Sequence, residues 1–341
     1  MHPRRAFRSI VLVLFAMLAA CQLAGCATSI QADDAARVAG KTYVVTGASS
    51  GFGRGIALKL GSLRANVVLA ARRTELLQEV AAQVTAAGGT ALVVTTDVAK
   101  PEEMRRLADS AVARFGRVDV WINNAGVGAI GRFEDIPVED HSRLVDVNLK
   151  GVIYGSHAAL RLFRAQGHGA LINMGSVDSE VPHAYQASYS ATKAGVLSLG
   201  RVLNEELRLG GHRAISVSTV LPWAADTPFW EHAATYSGST PRFAAMDDPQ
   251  IVVDAVVWVS LHPREELPVG GKAAAAYTSH RIFSNLTERI TGNIAHRYQM
   301  DSASPRPSTP GALHQPMQSG RGVEGGVRER MRQEDAVRGR P

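Results

Sequence analysis

The sequence predicts an α/β domain in which a doubly wound parallel sheet carries helices on both faces. Three observations carry the prediction. Apolar, strand-like runs alternate with stretches of helical spacing from residue 41 to 265, the first such run leads into a glycine-rich turn, and the runs are apolar throughout, as strands covered on both faces must be.

Composition and charge set the limits. The chain has 341 residues, 45% apolar and 20% charged, which excludes wholesale disorder and a multi-span membrane protein. The formal charge is +6, but residues 1–30 hold three Arg and no acid, and residues 301–341 hold seven Arg against five acids. The 270 residues between carry +1, no surface for a polyanion, so nucleic acid is not an expected partner. Cys21 and Cys26 both lie near the start, so the body has no disulfide and no thiolate metal site, and no metal is expected.

The organisation reads in five parts. Residues 1–26 form a leader: a basic head with Arg4, Arg5 and Arg8, an apolar run from Ile10 to Ala20, and small residues up to Cys26. The layout resembles a bacterial lipoprotein signal, with Cys26 as the lipidated residue. One short membrane helix over Ile10–Ala27, with the body on the cytoplasmic side, and an overlong start both remain open. Arg4-Arg5 is also similar to the twin-arginine signal, which exports folded proteins. Residues 27–40 read as a tether, 41–265 as the α/β domain, 266–300 as a helical appendix and 301–341 as a disordered tail of Pro, Gly, Ser and Arg. A membrane-associated protein of uncertain sidedness is the expectation. The appendix repeats Ile282, Phe283, Leu286, Ile290 and Ile294 at helical spacing, a face expected to dock on the body, with a bilayer as its other possible seat.

Lys41–Thr46 is a β-rich run ending in Gly47-Ala48-Ser49-Ser50-Gly51-Phe52-Gly53, after which Ile56, Ala57, Leu60 and Leu63 recur at helical spacing. A strand, a glycine-rich turn and a helix start make a phosphate cradle and point to a Rossmann-like, three-layer α/β/α fold. The same letters satisfy the G-x-S-x-G nucleophile elbow of serine hydrolases, but that elbow sits later in the strand order. Val67–Ala71 is the second strand. Where an NAD-specific fold carries an acid, this sequence has Ala71 followed by Arg72 and Arg73, whose planar donors suit a 2′-phosphate. The reading is therefore NADP(H) rather than NAD(H). A third strand, Ala91–Thr96, ends at Asp97-Val98, and a fourth, Val118–Ile122, ends at Asn123-Asn124-Ala125-Gly126.

Ala170–Met174 is a further strand, ending in Gly175-Ser176, and thirteen residues after Ser176 comes Tyr189-Ser-Ala-Thr-Lys193. Tyr189 and Lys193 share a helical face, so the ammonium is expected to lower the phenol pKa, while Ser176 can bond the same substrate oxygen.

With these residues in place the body resembles the short-chain dehydrogenase/reductase family over residues 41–265. The resemblance implies a cofactor turn at Gly47, Ser49, Ser50, Gly51, Phe52 and Gly53, and a catalytic set of Asn148, Ser176, Tyr189 and Lys193. It implies that Tyr189 exchanges the proton on the substrate oxygen and Ser176 polarises that oxygen. Lys193 would hold the nicotinamide ribose and Asn148 would position a water. Asp97 and Val98 would lie by the adenine, and Asn124, Ala125 and Gly126 along the cofactor. Pro222 and Thr227 would sit at the nicotinamide end. It further implies a small alcohol or carbonyl substrate and a homodimer or homotetramer. Trp223 departs from the family, which has glycine after the proline, and puts the Thr227 contact in doubt. Phe229, Trp230, His232, Tyr236 and Phe243 follow, either covering an apolar substrate or packing at the domain edge. The alternative function is a nucleotide-binding scaffold or redox sensor without turnover.

Overall fold

The computed structural model describes residues 28–301 and 304–337, so the leader lies outside the described residues. Seven strands form one parallel sheet: β1 (Thr42–Thr46), β2 (Asn66–Ala71), β3 (Thr90–Thr95), β4 (Val120–Asn123), β6 (Gly169–Met174), β7 (Ile215–Pro222) and β9 (Glu266–Val269). Their order is β3-β2-β1-β4-β6-β7-β9. A two-stranded ribbon, β5 (Ala129–Ile130) with β8 (Ala234–Thr235), stands apart from it. Strand order reverses between β1 and β4, and the crevice outside their C-terminal ends is where such sheets bind ligands.

The absence of alternation in the strands has a direct cause: the central strands feed two cores. Tyr43, Val45, Val67, Leu69, Ile122 and Ile172 face one cluster, while Val44, Val68, Ala70, Trp121 and Leu171 face the other. The first is closed by α2 (Gly51–Ser62), α3 (Thr74–Ala86) and α9 (Pro249–Val259). The second is closed by α4 (Pro101–Phe115), α6 (Gly151–Gln166) and α7 (Ala187–Leu209). Local signals agree with this packing. Helix α4 starts on Pro101, has Glu102 and Glu103 in its first turn and stops at Gly116, whose φ of 76° a side chain would disfavour.

Four boundaries differ from the sequence reading. The tether contains α1 (Ala32–Val38), whose Val38 is fully buried and whose Arg37 donates to the Leu261 carbonyl at 2.9 Å. The domain does not end at 265, because β9 pairs with β7; as an edge strand it tolerates Pro268, which obscures it in the sequence. The appendix is two helices, α10 (Gly270–Ile282) and α11 (Ser284–His296), but the apolar row does not dock. Ile282, Phe283, Leu286, Ile290 and Ile294 are 42–59% exposed.

The fourth difference is the largest. The segment read as a disordered tail is laid across the body and ends in α12 (Val327–Val337). Thr309 bridges to Thr235, and Leu313 is fully buried beside Ala129, Ile136, Leu144 and Ala234. The Asp226 carboxylate accepts the Val327 amide at 2.8 Å, and Arg242 pairs with Glu334 and, at 2.6 Å, with Asp335. A segment held mainly through its backbone needs no apolar period, which is why its sequence looks unstructured.

Candidate active site

The switch point is built by Thr46, Gly47 and the β4 turn. Thr46 Oγ1 donates to the Ile122 carbonyl at 3.2 Å and accepts the amides of Asn124 and Ala125 at 2.9 and 3.1 Å. Asn124 returns a bond from Nδ2 to the Thr46 carbonyl at 2.8 Å, so it ties the two turns together as well as lining the cleft. Gly47 has φ +69°, and a Cβ there would lie 2.8 Å from the Ala125 Cα; one on Gly53 would strike the Gly47 carbonyl. Both glycines are required by close approach.

One cleft of about 300 Å³ runs from this turn to the far end of the domain. Gly47, Ser49, Ser50, Gly51, Phe52, Arg72, Arg73, Asn124, Gly126, Ser176, Tyr189, Lys193, Pro222 and Thr227 all line it. Gly53, Asp97, Val98, Ala125 and Asn148 do not. Gly53 and Ala125 act through the packing just described. Asp97 is engaged by Arg143 at 2.8 Å, and Val98 packs against Gly151. Burial raises the Asp97 carboxyl, but the Arg143 bond and the Ala99 amide more than offset that and hold it below its usual range.

Arg73 reaches into the turn, donating to Ser49 Oγ at 3.0 and 3.1 Å and to Ser50 Oγ at 2.6 Å. Burial lowers both the Arg72 and the Arg73 guanidinium from their ordinary values. Arg72 lowers Arg73 further, while for Arg72 the effects of Asp97 and Arg143 oppose each other. Two cations partly stripped of water beside helix-start amides are a site whose chemistry suits a phosphate.

At the other end, Ser176 starts a short 3₁₀ turn, with its Oγ accepting the Asp178 amide at 3.1 Å. Its hydroxyl lies on the same cleft as the Tyr189 phenol and acts to lower the pKa of that phenol. Lys193 is buried and donates to the Met174 carbonyl at 2.7 Å, with Nζ 5.6 Å from the Tyr189 ring centroid. Asn148 sits in a π-helical turn, Asp146–Lys150, between α5 (Val138–Val145) and α6. Its amide bonds the Val127 N–H and C=O, both at 2.9 Å. A methyl carbon on Gly126 would lie 3.5 Å from Asn148 Oδ1 and 3.8 Å from Lys193 Nζ, so these groups converge. Such π-turns recur at functional sites.

The expected lowering of the Tyr189 pKa is not found. Burial pushes the phenol well above its ordinary value, the Asp178 carboxylate adds to that, and the nearby Ser176 hydroxyl offsets only part. Burial lowers Lys193 to about 8, against the opposing pull of Asp178. Asp178, which the sequence reading passes over, is itself raised by burial. Only its place two residues after Ser176 could draw attention to it.

In the loop after β7, Trp223 replaces the family's glycine without distorting the backbone. It takes no left-handed conformation, its indole donates to the Ala244 carbonyl at 3.4 Å, and Thr227 still lines the cleft. The short helix α8 (Phe229–His232) follows, and its Phe229, Trp230 and His232 line the cleft together with Phe243. The Phe229 ring lies 5.8 Å from that of Tyr189, and Trp230 stacks on Phe243 at 3.9 Å. Tyr236 bonds Asp140 instead, outside the cleft. Tyr185 turns to His296, with φ +70°.

Residues 41–236 match the family model described as short chain dehydrogenase. The chain is 34% identical over 273 residues to the oxidoreductase YxnA of Bacillus subtilis, covering 79% of this chain and 76% of that protein. It is 35% identical to a 3β-hydroxysteroid dehydrogenase of Eggerthella lenta, over 65% of this chain and 87% of the relative. Among solved structures, a metagenomic short-chain oxidoreductase in complex with NADP is 32% identical, with TM-score 0.57, over 67% of this chain and 96% of its own. An alcohol dehydrogenase of Thermococcus sibiricus complexed with 5-hydroxy-NADP is 27% identical, with TM-score 0.56, over 67% and 94%. The chain is an oxidoreductase and belongs to the short-chain dehydrogenase/reductase family.

Proposed function

We propose that the protein interconverts an alcohol and a carbonyl with NADP(H). The observation that carries this reading is the convergence of Ser176, Tyr189 and Lys193 on one cleft that also leads to Arg72 and Arg73. The residues present fit the dinucleotide: the turn demands glycine where backbone must approach, and two desolvated guanidiniums follow β2 with no acid at Ala71. Gly47–Gly53 would cradle its pyrophosphate, Arg72 and Arg73 its 2′-phosphate, and Lys193 and Thr227 its nicotinamide end. Bound there, the nicotinamide supplies or accepts the hydride.

The chain's own residues handle the proton. In reduction Ser176 donates to the carbonyl oxygen, and Tyr189 gives that oxygen its proton; in oxidation Tyr189 takes the proton back. Its raised pKa keeps Tyr189 protonated, the form from which reduction starts. Lys193 keeps a cation near the Tyr189 ring, and Asn148 fixes the Val127 backbone beside it. Phe229, Trp230 and Phe243 around the tyrosine support an apolar substrate.

Association with a membrane through residues 1–26 is part of the proposal, as is the lipidated Cys26. Ile282, Phe283, Leu286 and Ile290, exposed along the appendix, support it, since a bilayer would cover what the body leaves exposed. Pairing through α6 and α7 is proposed too, because Ile153, Val202 and Leu209 stand exposed there. Titration of the purified protein with NADPH and with NADH tests the cofactor reading. Tighter NADPH binding is expected, and an NADH preference would overturn the role given to the arginines.

A further inference from the structure

The C-terminal segment lies on the donors that the cofactor reading assigns to phosphate. Arg72 donates to the carbonyls of Ala312, Leu313 and His314 at 2.6, 3.2 and 3.1 Å. Arg73 donates to those of Met317 and Ser319 at 3.1 and 3.2 Å. The Gly51 amide, at the start of α2, donates to the Gly322 carbonyl at 2.9 Å. Arg143, the partner of Asp97, gives its Nε to the Leu313 carbonyl at 3.1 Å. With Ser49 and Ser50 taking its remaining N–H groups, Arg73 has no donor left for an anion. A 2′-phosphate can be held by both planar faces of these arginines only if the carbonyls let go.

The contacts have the pattern of something that can leave. Every partner that the segment offers to Arg72, Arg73 and Gly51 is a neutral backbone carbonyl. Charged phosphate oxygens make roughly twice as strong a bond with a guanidinium as a neutral acceptor does. On either side the segment is held by the Thr309–Thr235 bridge and by Asp226 on the amides of Val327 and Arg328, and lifting it must also free two side chains of its own, Leu313 from its apolar cluster and His314 from Asp140. Gly311 and Gly326, at φ +53° and +70°, stand between the crossing piece and these two anchors, where backbone can swing.

We infer that residues 312–325 form a strap that competes with the dinucleotide for Arg72, Arg73 and the Gly51 amide, so that cofactor entry requires the strap to lift. The inference rests on the NADP(H) reading above. The strap reduces the apparent affinity for NADPH by the fraction of molecules in which it is lifted. Release of its carbonyls is the step that exposes the phosphate site, and occupation of that site holds the strap away.

Two measurements on the full chain test this. Arg321 lies in the strap with its side chain 52% exposed, while its carbonyl accepts from Arg54 at 2.9 Å, so trypsin cleavage after Arg321 reports lifting. Saturating NADPH is expected to accelerate that cleavage at least about fivefold, and slower cleavage with NADPH would overturn competition, making the strap a clamp over bound cofactor. The second uses Gly320→Val and Gly311→Val, whose new side chains would strike the His232 ring and the His232 carbonyl and wedge the strap outward. NADPH titrated by fluorescence is expected to bind these variants about tenfold more tightly than the parent. Equal or weaker binding by variants that fold would sink the strap proposal and leave the cofactor reading intact. Failure of parent and variants alike to bind NADPH would remove the cofactor reading, and the strap proposal with it. If the variants do not fold, the trypsin experiment on the unaltered chain still decides.

Discussion

Lys193 is tied to the main chain beside Tyr189: its ammonium donates to the Met174 carbonyl at 2.7 Å and stands 5.6 Å from the tyrosine ring centroid. Residue spacing places the two side chains on one helical face, but a neighbouring main-chain acceptor decides where the lysine points. The ammonium is therefore buried and bonded without charge compensation from the phenol.

That arrangement fixes a pH dependence. Lys193 falls from 10.5 to about 8 because burial penalises its charge. A base lowered in the folded state binds fewer protons than in the unfolded chain, so between pH 8 and 10.5 stability rises with pH relative to a protein lacking the group. Compared with Lys193→Met, the parent should gain about 1 kcal/mol per pH unit above pH 8 in urea unfolding. A parent that loses ground over that interval would contradict the burial argument.

Arg72 and Arg73 should decide between cofactors. Replacing both with alanine is expected to weaken NADPH binding by about 10- to 100-fold for each charge-assisted bond removed, and to leave NADH binding nearly unchanged. Paired titrations at two salt concentrations check it. The parent's NADPH affinity should fall with salt more steeply than the variant's.

Asn148→Ala removes both bonds to Val127, whose half-buried N–H and C=O lose their partner. A loss of about 1–3 kcal/mol in stability, read by urea unfolding, is expected. Turnover should fall further than KM changes, because Gly126, the neighbour of Val127, lies beside Lys193. Asn148→Asp, which keeps only the acceptor, should recover part of the stability.

Phe229→Ala opens the aromatic wall beside Tyr189. For an aryl or alicyclic ketone KM should rise by about 10-fold, the worth of burying part of an apolar side chain, while a small ketone such as acetone is affected much less. Equal effects on both would remove Phe229 from the substrate surface.

The parts legible in the sequence are those whose function is local. The turn from Gly47 to Gly53 and the Tyr189–Lys193 pair declare themselves because a close approach or a shared helix face needs particular residues at particular spacings. Arg72 and Arg73 are readable for the same reason. What stays hidden depends on partners far along the chain. The strap binds through carbonyls, which every residue has, so its Gly- and Pro-rich text gives no sign of it. Strand β9 is masked by Pro268, which only an edge position permits. Asp178 is one aspartate among many until burial sets it beside Tyr189 and Lys193. The row from Ile282 to Ile294 has the right period for docking, and periodicity alone does not say against what.

The central claim is that Tyr189 protonates a carbonyl oxygen while NADPH reduces its carbon. Incubation with 4-deuterated NADPH and an aryl ketone, read by mass spectrometry, tests it most directly. The parent should place one deuterium on the carbinol carbon. Tyr189→Phe should bind NADPH as the parent does and form product about 10³-fold more slowly. Undiminished product from Tyr189→Phe, or none from the parent across a series of apolar ketones despite bound NADPH, would contradict the account.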